Sequence, residues 1–383
     1  MQRTFCWIFI MVLVLSLGML GCTNKQKEIK VGAIMPLTGE LATYGEPVKE
    51  GMELALEEIN ASGGINGKPL KIIFEDDLGD PKTAVAAFNK LIDREKVPII
   101  LGPLTSSASM ATAPVAGRRK VVQLSTMAGT IKLKYAGDYV FRVFASDELQ
   151  AKAIVDKAID IFGAKRAAIL YINNAYGQGI KEVTENRYTE RGGELVTVES
   201  FNEGDKDFRT QLIKIKKAQP DLIFGLSYWK EGALILVQAK ELGIDNIFLG
   251  GDAWYGPIGE IAKNAEELLV FSNMAFGKEY NQHPKMQRFI QYFPEKYGKE
   301  ADAYSATGYD AVYLATHAIR EGGYSADGIK KALYKTKDFI GALGRITYDE
   351  YGDNVGAEFD LYIVRGGKTL RYFDVIKKEK GGR

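Results

Sequence analysis

The chain has 383 residues, with 50 Lys and Arg against 49 Asp and Glu, and its only basic residue before position 25, Arg3, leaves 49 of each sign beyond it. That balance argues against nucleic acid or an anionic surface as partner. The length exceeds one ordinary domain and suggests two lobes. The two cysteines, Cys6 and Cys22, both lie at the N-terminal end, and His283 and His317 are the only imidazoles. No HExxH, CxxC or paired-His spacing occurs, so neither a metal site nor a cofactor is expected.

In chain order, the first feature is an apolar run from Trp7 to Gly21, preceded by Arg3 and followed by the polar stretch Thr23 to Lys27. It is short for a membrane span, and its flanks fit a secretory signal. Met19-Leu20-Gly21-Cys22 resembles the bacterial lipobox, with Met where Leu is usual. The expectation is a signal peptide over 1–21, acylation at Cys22 and a tether over 22–28. Acyl anchoring gains about 0.8 kcal/mol per buried methylene.

The remainder alternates short β-branched runs with longer amphipathic ones, the pattern of an α/β fold with largely parallel sheets. Strands are expected at Ile29 to Met35, Lys71 to Phe74, Val97 to Leu101 and Val121 to Leu124. Pro47 opens a helix carrying Val48, Met52, Ala55 and Ile59 at helical spacing, and Gly63-Gly64 ends it. Asp80-Pro81 caps the next helix. The pattern then restarts, with strands at Ala167 to Ile172, Leu195 to Phe201, Leu222 to Leu226 and Ile247 to Leu249. Helices are expected between them over 178–191, 207–218 and 231–242. After Leu268 come a strand to about Phe276, helices near 284–297, 304–321 and 325–335, and strands at Gly344 to Tyr348, Phe359 to Val364 and Leu370 to Ile376. No low-complexity linker separates the halves, so short crossovers join them.

Ser106 and Ser107 follow a strand and precede a helical run. A helix start presents unpaired N–H groups and partial positive charge, and hydroxyls there can hold a carboxylate. Read from position alone, the pair equally fits a helix cap. Asp252 ends a strand, where it is either a ligand group or a cap.

The run Ile29 to Gly39, Tyr44-Gly45, Glu58 to Gly67, Asp76-Asp77 with Asp80-Pro81, Gly102-Pro103 with Ser106-Ser107, and Phe141-Arg142 with Ser146-Asp147 and Gln150 together resemble the extracytoplasmic solute-binding proteins of branched-chain amino acid ABC transporters. The resemblance implies the type I periplasmic-binding-protein fold: two Rossmann-like lobes, a three-segment hinge and a cleft between them. It implies one lobe of 29–144 with 276–350 and a second of 145–275 with 351–383. It maps the ligand α-carboxylate to Ser106, beside Ser107, and an ammonium-binding carbonyl to Met127. A Thr that relatives use for ammonium and carboxylate maps to Gly129, with Thr130 one residue later. An acidic group for the ammonium maps to Asp252, and Tyr44, Tyr176, Tyr228 and Tyr304 map to the cleft wall.

The implied function is a membrane-tethered receptor that closes on a small amino acid and delivers it to an ABC permease as a monomer. An amide-, urea- or aromatic-acid-binding receptor or sensor of the same fold is the alternative. A hydrolase is disfavoured, because GxSxG is absent and neither His lies near a candidate Ser in sequence.

Overall fold

A computed structural model describes residues 28–277, 280 and 282–381. Cys22 and the apolar run before it lie outside the described residues. No described helix is long and apolar enough to cross a membrane.

The first half builds a five-stranded parallel sheet from β1 (Ile29–Met35), β2 (Leu70–Asp76), β3 (Ile99–Leu101), β4 (Val122–Ser125) and β5 (Val140–Arg142), in the order β2-β1-β3-β4-β5. Its helices are α1 (Ala42–Ala61), α2 (Pro81–Lys90) and α3 (Ser106–Arg119). β1, β3 and β4 are almost wholly buried, as a parallel sheet covered on both faces requires.

The chain then repeats the plan. It forms α4 (Asp147–Asp160), β6 (Arg166–Ile172), α5 (Ala175–Glu190), β7 (Glu194–Phe201), α6 (Arg209–Ala218), β8 (Leu222–Leu226), α7 (Trp229–Glu241), β9 (Ile247–Gly250), α8 (Ile258–Ile261) and β10 (Leu269–Met274). After β10 the chain returns to the first lobe as α9 (Pro284–Tyr297), α10 (Ala303–Gly322) and α11 (Ala326–Tyr334), with a small hairpin of β11 (Phe339–Ile340) and β12 (Arg345–Ile346). It crosses back as β13 (Phe359–Arg365) and β14 (Lys368–Arg371) and ends in α12 (Tyr372–Gly381). The second sheet runs β14-β13-β10-β9-β8-β6-β7, so its parallel part, β7-β6-β8-β9-β10, repeats the order of the first sheet.

Three crossings therefore join two doubly wound lobes: β5 to α4, β10 to α9, and β12 to β13. They are tied together. Ala145 bridges to Asn354, Asn354 Nδ2 donates to the Val143 carbonyl at 2.9 Å, and the Ala275 N–H donates to the Glu358 carbonyl at 2.8 Å. Arg142 Nε pairs with Asp353 at 2.7 Å, both buried.

Helix α1 meets α10 backbone to backbone. A Cβ on Gly51 would stand 1.8 Å from the Ser305 carbonyl oxygen, and one on Gly308 1.9 Å from that of Val48. That approach sets the second and third turns of α1 against the first two turns of α10, and each helix carries a tyrosine of the cavity described below.

Three expectations differ from what forms. The helix expected to open at Pro47 begins at Ala42, and Pro47 sits inside it near the start, where the missing N–H forfeits one intrahelical bond. The segment Leu370 to Ile376 pairs as a strand only through Arg371. Tyr372 and Val375, spaced for a helix, then pack on the core from α12. Of Gly344 to Tyr348 only Arg345–Ile346 forms a strand, in a hairpin belonging to neither large sheet, while Tyr348 makes an isolated bridge to Asn354. Strand β5 and helix α4 form over a stretch for which no element was expected.

Candidate functional site

In an open doubly wound sheet the crevice outside the carboxyl ends of the strands, where strand order reverses, is the natural ligand site. Here two such crevices face each other, between β1 and β3 in one lobe and between β6 and β8 in the other. Tyr44 follows β1; Leu104, Thr105 and Ser106 follow β3; Met127 and Gly129 follow β4. From the other lobe, Tyr176 follows β6, Tyr228 follows β8, and Asp252 and Ala253 follow β9. Tyr304 opens α10 and Asp147 opens α4, and together these twelve residues line one cavity.

The cavity between the lobes has a volume of about 410 Å³. What holds the two lobes together around it is explicit. Tyr44 Oη donates to the Ala253 carbonyl at 2.6 Å and accepts from the Trp229 N–H at 3.0 Å. Tyr304 Oη donates to the Asp252 carbonyl at 2.7 Å. Glu40 and Lys230 pair across the rim.

The aromatic wall is continuous. The Tyr176 and Tyr228 rings stack with centroids 5.8 Å apart, and Tyr44 meets Tyr228 at 6.0 Å and Tyr304 edge-on at 5.7 Å. Burial raises the phenols of Tyr44, Tyr176, Tyr228 and Tyr304, so all four are neutral donors. Trp254, by contrast, is wholly buried behind the site, its Nε1 donating to Ser227 Oγ at 2.9 Å.

Ser106 stands apart from its cap. Thr105 is the N-cap of α3, its hydroxyl accepting from the Ala108 N–H at 3.3 Å. The Ser106 hydroxyl is thereby left to the cavity, where it accepts from the Thr130 N–H at 3.3 Å. Ser107 lies outside the cavity lining, on a neighbouring opening with Leu78, Asp80 and Glu203. Thr130 is wholly buried and also outside the lining. Its carbonyl accepts from Arg142 and its hydroxyl lies against Gly179. Ser106, Met127, Gly129, Tyr44, Tyr176, Tyr228, Asp252 and Tyr304 are brought together.

Four lining residues were not anticipated: Leu104, Thr105, Asp147 and Ala253. Asp147 had a signal, an acidic residue within the Ser146-Asp147 motif with a glycine at 129 where a Thr was expected.

The electrostatics are one-sided. Asp147 and Asp252 are 3% and 6% exposed, and each has a carboxylate oxygen without a partner. Burial raises the Asp252 carboxyl to about 6, against the Gln150 amide and the Ala253 N–H. Burial, then the charge of Asp252, push the Asp147 carboxyl up, with Arg142 opposing. Among the described residues no Lys, Arg or His lines the cavity. Arg142, below the loop, directs its Nη1 to the carbonyls of Ala128, Gly129 and Thr130. Among the described residues no group of three or more His, Cys, Asp or Glu could hold a metal ion.

Two lobes of like strand order, crossed three times and closed on a cavity at their switch points, define a type I periplasmic binding protein. A family model described as periplasmic binding protein matches residues 28–369, and the chain belongs to that family. A Leu/Ile/Val-binding protein homologue of Brucella melitensis is 30% identical over 350 residues, covering 90% of this chain and 93% of the relative. A leucine-binding protein, LivK, of Thermotoga maritima superposes with a TM-score of 0.85 at 32% identity, covering 90% of this chain and 97% of that one. The branched-chain amino acid substrate-binding protein LivJ of Streptococcus pneumoniae, in complex with isoleucine, gives 0.81 at 31% identity, covering 90% and 98%.

Proposed function

We propose that this chain binds a small aliphatic α-amino acid of the branched-chain type outside the cytoplasmic membrane and delivers it to an ABC permease. The observation that carries the reading is the meeting, in one cavity, of Ser106 at a helix start and the carboxylates of Asp147 and Asp252, each with an oxygen that lacks a partner. A zwitterion satisfies both ends. Its carboxylate meets a hydroxyl and the positive end of α3, and its ammonium meets buried carboxylates that otherwise lack a counter-charge. The tyrosines and Leu104 supply apolar contact for an aliphatic side chain. A purely acidic ligand, an aromatic acid included, would set a third anion against the two carboxylates.

The mechanism is hinge closure: ligand occupies one lobe, the second closes on it, and the closed form docks on the permease. The bodies that move are 29–144 with 276–350 and 145–275 with 351–383. Ser107 and Thr130 act from outside the wall, through the helix start and the loop of Met127 and Gly129. The protein works as a monomer. It carries a lipid on Cys22, after removal of residues 1–21, with 22–28 as tether.

A thermal-shift panel on the purified protein with leucine, isoleucine, valine, threonine and alanine, beside their deaminated acids, amides and benzoate, tests the reading. Ligand at a hundredfold over its dissociation constant stabilises by roughly 2.7 kcal/mol. Stabilisation by the acids or amides with none by the amino acids would refute it.

A further inference from the structure

The geometry points to Trp254 as a positioning residue for lobe closure: from behind the cavity wall it fixes the backbone groups on which the first lobe lands. This inference rests on the hinge-closure reading above. The first lobe grips the second through three main-chain groups. Tyr44 Oη bonds to the Ala253 carbonyl and the Trp229 N–H, and Tyr304 Oη to the Asp252 carbonyl. One of these groups lies on the segment 227–229 after β8 and two on the segment 251–253 after β9. The ladder between those strands ends at Gly225 and Gly250, before either segment begins. A single phenol that must meet both segments at once needs them at a fixed separation, and connecting segments are the more mobile parts of a fold unless something ties them.

Trp254 supplies the tie. Its Nε1 donates to Ser227 Oγ at 2.9 Å, and that hydroxyl donates in turn to the Tyr228 carbonyl at 3.0 Å, so an indole from one segment holds the start of the other. The ring itself is wholly buried in a slot cut by glycines. A Cβ on Gly225 of β8 would stand 2.3 Å from its Cζ2, one on Gly232 of α7 2.7 Å from Nε1, and one on Gly250 of β9 2.2 Å from Cδ2. Three elements therefore lack side chains where the indole lies. A buried tryptophan commonly finds an acceptor for its N–H. What distinguishes this one is where the acceptor sits, two residues before the N–H that Tyr44 receives. Trp254 is absent from the cavity lining, so it reaches the ligand through the two segments alone.

The test is stopped-flow binding of leucine to wild type, Tyr44→Phe, Ser227→Ala and Trp254→Phe, to the Ser227→Ala/Trp254→Phe pair, and to Ser227→Ala and Trp254→Phe each combined with Tyr44→Phe. Unliganded melting curves and small-angle scattering with and without leucine accompany it. Ser227→Ala and Trp254→Phe remove the same bond from its two ends, so each speeds leucine release by about fivefold with association little changed, and the pair does no more than either alone. In either background Tyr44→Phe changes release by less than about twofold, because the phenol has already lost its fixed landing. Plain loss of core packing would lower melting and leave the Tyr44→Phe effect at full size. Ser227→Ala keeps the indole in its slot and carries the test alone where Trp254→Phe does not fold. Unchanged release in Ser227→Ala, or an effect of Tyr44→Phe as large there as in wild type, overturns the inference while the hinge-closure reading stands. A wild type that does not bind leucine, or does not contract on binding it, overturns both.

Discussion

Tyr44 and Ala253 sit on opposite lobes and are joined by a hydrogen bond of 2.6 Å from phenol to carbonyl. The same phenol accepts from the Trp229 N–H, so one hydroxyl ties two loops of the second lobe to the first turn of α1. A hydrogen bond contributes about 0.5–1.5 kcal/mol net. Tyr44→Phe keeps the ring and removes the tie, so it shifts the balance towards the open form. The expected result is about fivefold faster ligand release in stopped-flow, with little change in association. A variant whose release rate equals that of wild type would show that this contact does not hold the closed form.

Ser106→Ala separates binding from folding. Thr105 caps α3, so losing the Ser106 hydroxyl leaves the helix start intact. A ligand carboxylate loses one charge-assisted hydrogen bond, worth about 1.5–3 kcal/mol, and affinity falls by roughly tenfold or more. Thr105→Ala does the reverse in its first effect, removing about 1 kcal/mol of stability through the cap. Denaturant melts and calorimetry on the two variants check the contrast.

The hinge has its own buried charge. Arg142 and Asp353 are 1% and 5% exposed, and the guanidinium also holds the carbonyls of three consecutive residues, 128 to 130. Arg142→Met leaves Asp353 buried and unpaired, which typically costs 3–5 kcal/mol. It also releases the loop that presents Met127 and Gly129. Urea unfolding should lose about that much stability, and leucine affinity should fall with it.

Much of this is legible in the sequence because the signals are local. Parallel strands read as short β-branched runs, and Asp80-Pro81 marks its helix, where Asp80 caps Thr83 as expected. Ser106 is ambiguous from position, because a Ser at a helix start can be a cap. Only the folded chain shows that Thr105 takes that task. Asp147 escapes notice for a related reason. Its position depends on the space left by Gly129 eighteen positions away, where a Cβ would stand 2.0 Å from its Oδ1, and no periodicity reports a missing Cβ. The close approach of α1 and α10 through Gly51 and Gly308 is equally a property of pairs. The end of the chain misleads because Tyr372 and Val375 fit either a strand or a helix until packing decides.

The two cavity carboxylates give a pH dependence with opposite signs for stability and binding. Burial raises Asp252 to about 6 and pushes Asp147 up as well, and burial also raises Asp77 and Asp310 to about 6. An ordinary Asp titrates near 3.9. Between those values the folded form holds protons that the unfolded chain has released, so stability falls as pH rises through about 6. Acidification from about pH 7.5 to about pH 5 therefore adds stability to the unliganded protein through these groups. Each tenfold difference in proton affinity between the folded and unfolded chain is worth about 1.4 kcal/mol. Exposed carboxylates held down by partners, such as Asp80 on Thr83, act in the other direction at lower pH. Asp252→Asn isolates the cavity contribution by flattening the profile. Ligand binding runs the opposite way. An ammonium needs ionised carboxylates, so binding in this range expels protons and weakens as pH falls. Melting temperature measured with and without saturating leucine should thus converge on acidification, the unliganded curve rising relative to Asp252→Asn and the liganded increment shrinking. Calorimetry in buffers of different ionisation enthalpy should register proton release near pH 6. A ligand increment that stays constant across the range, with no proton release, would mean that neither carboxylate meets the ammonium.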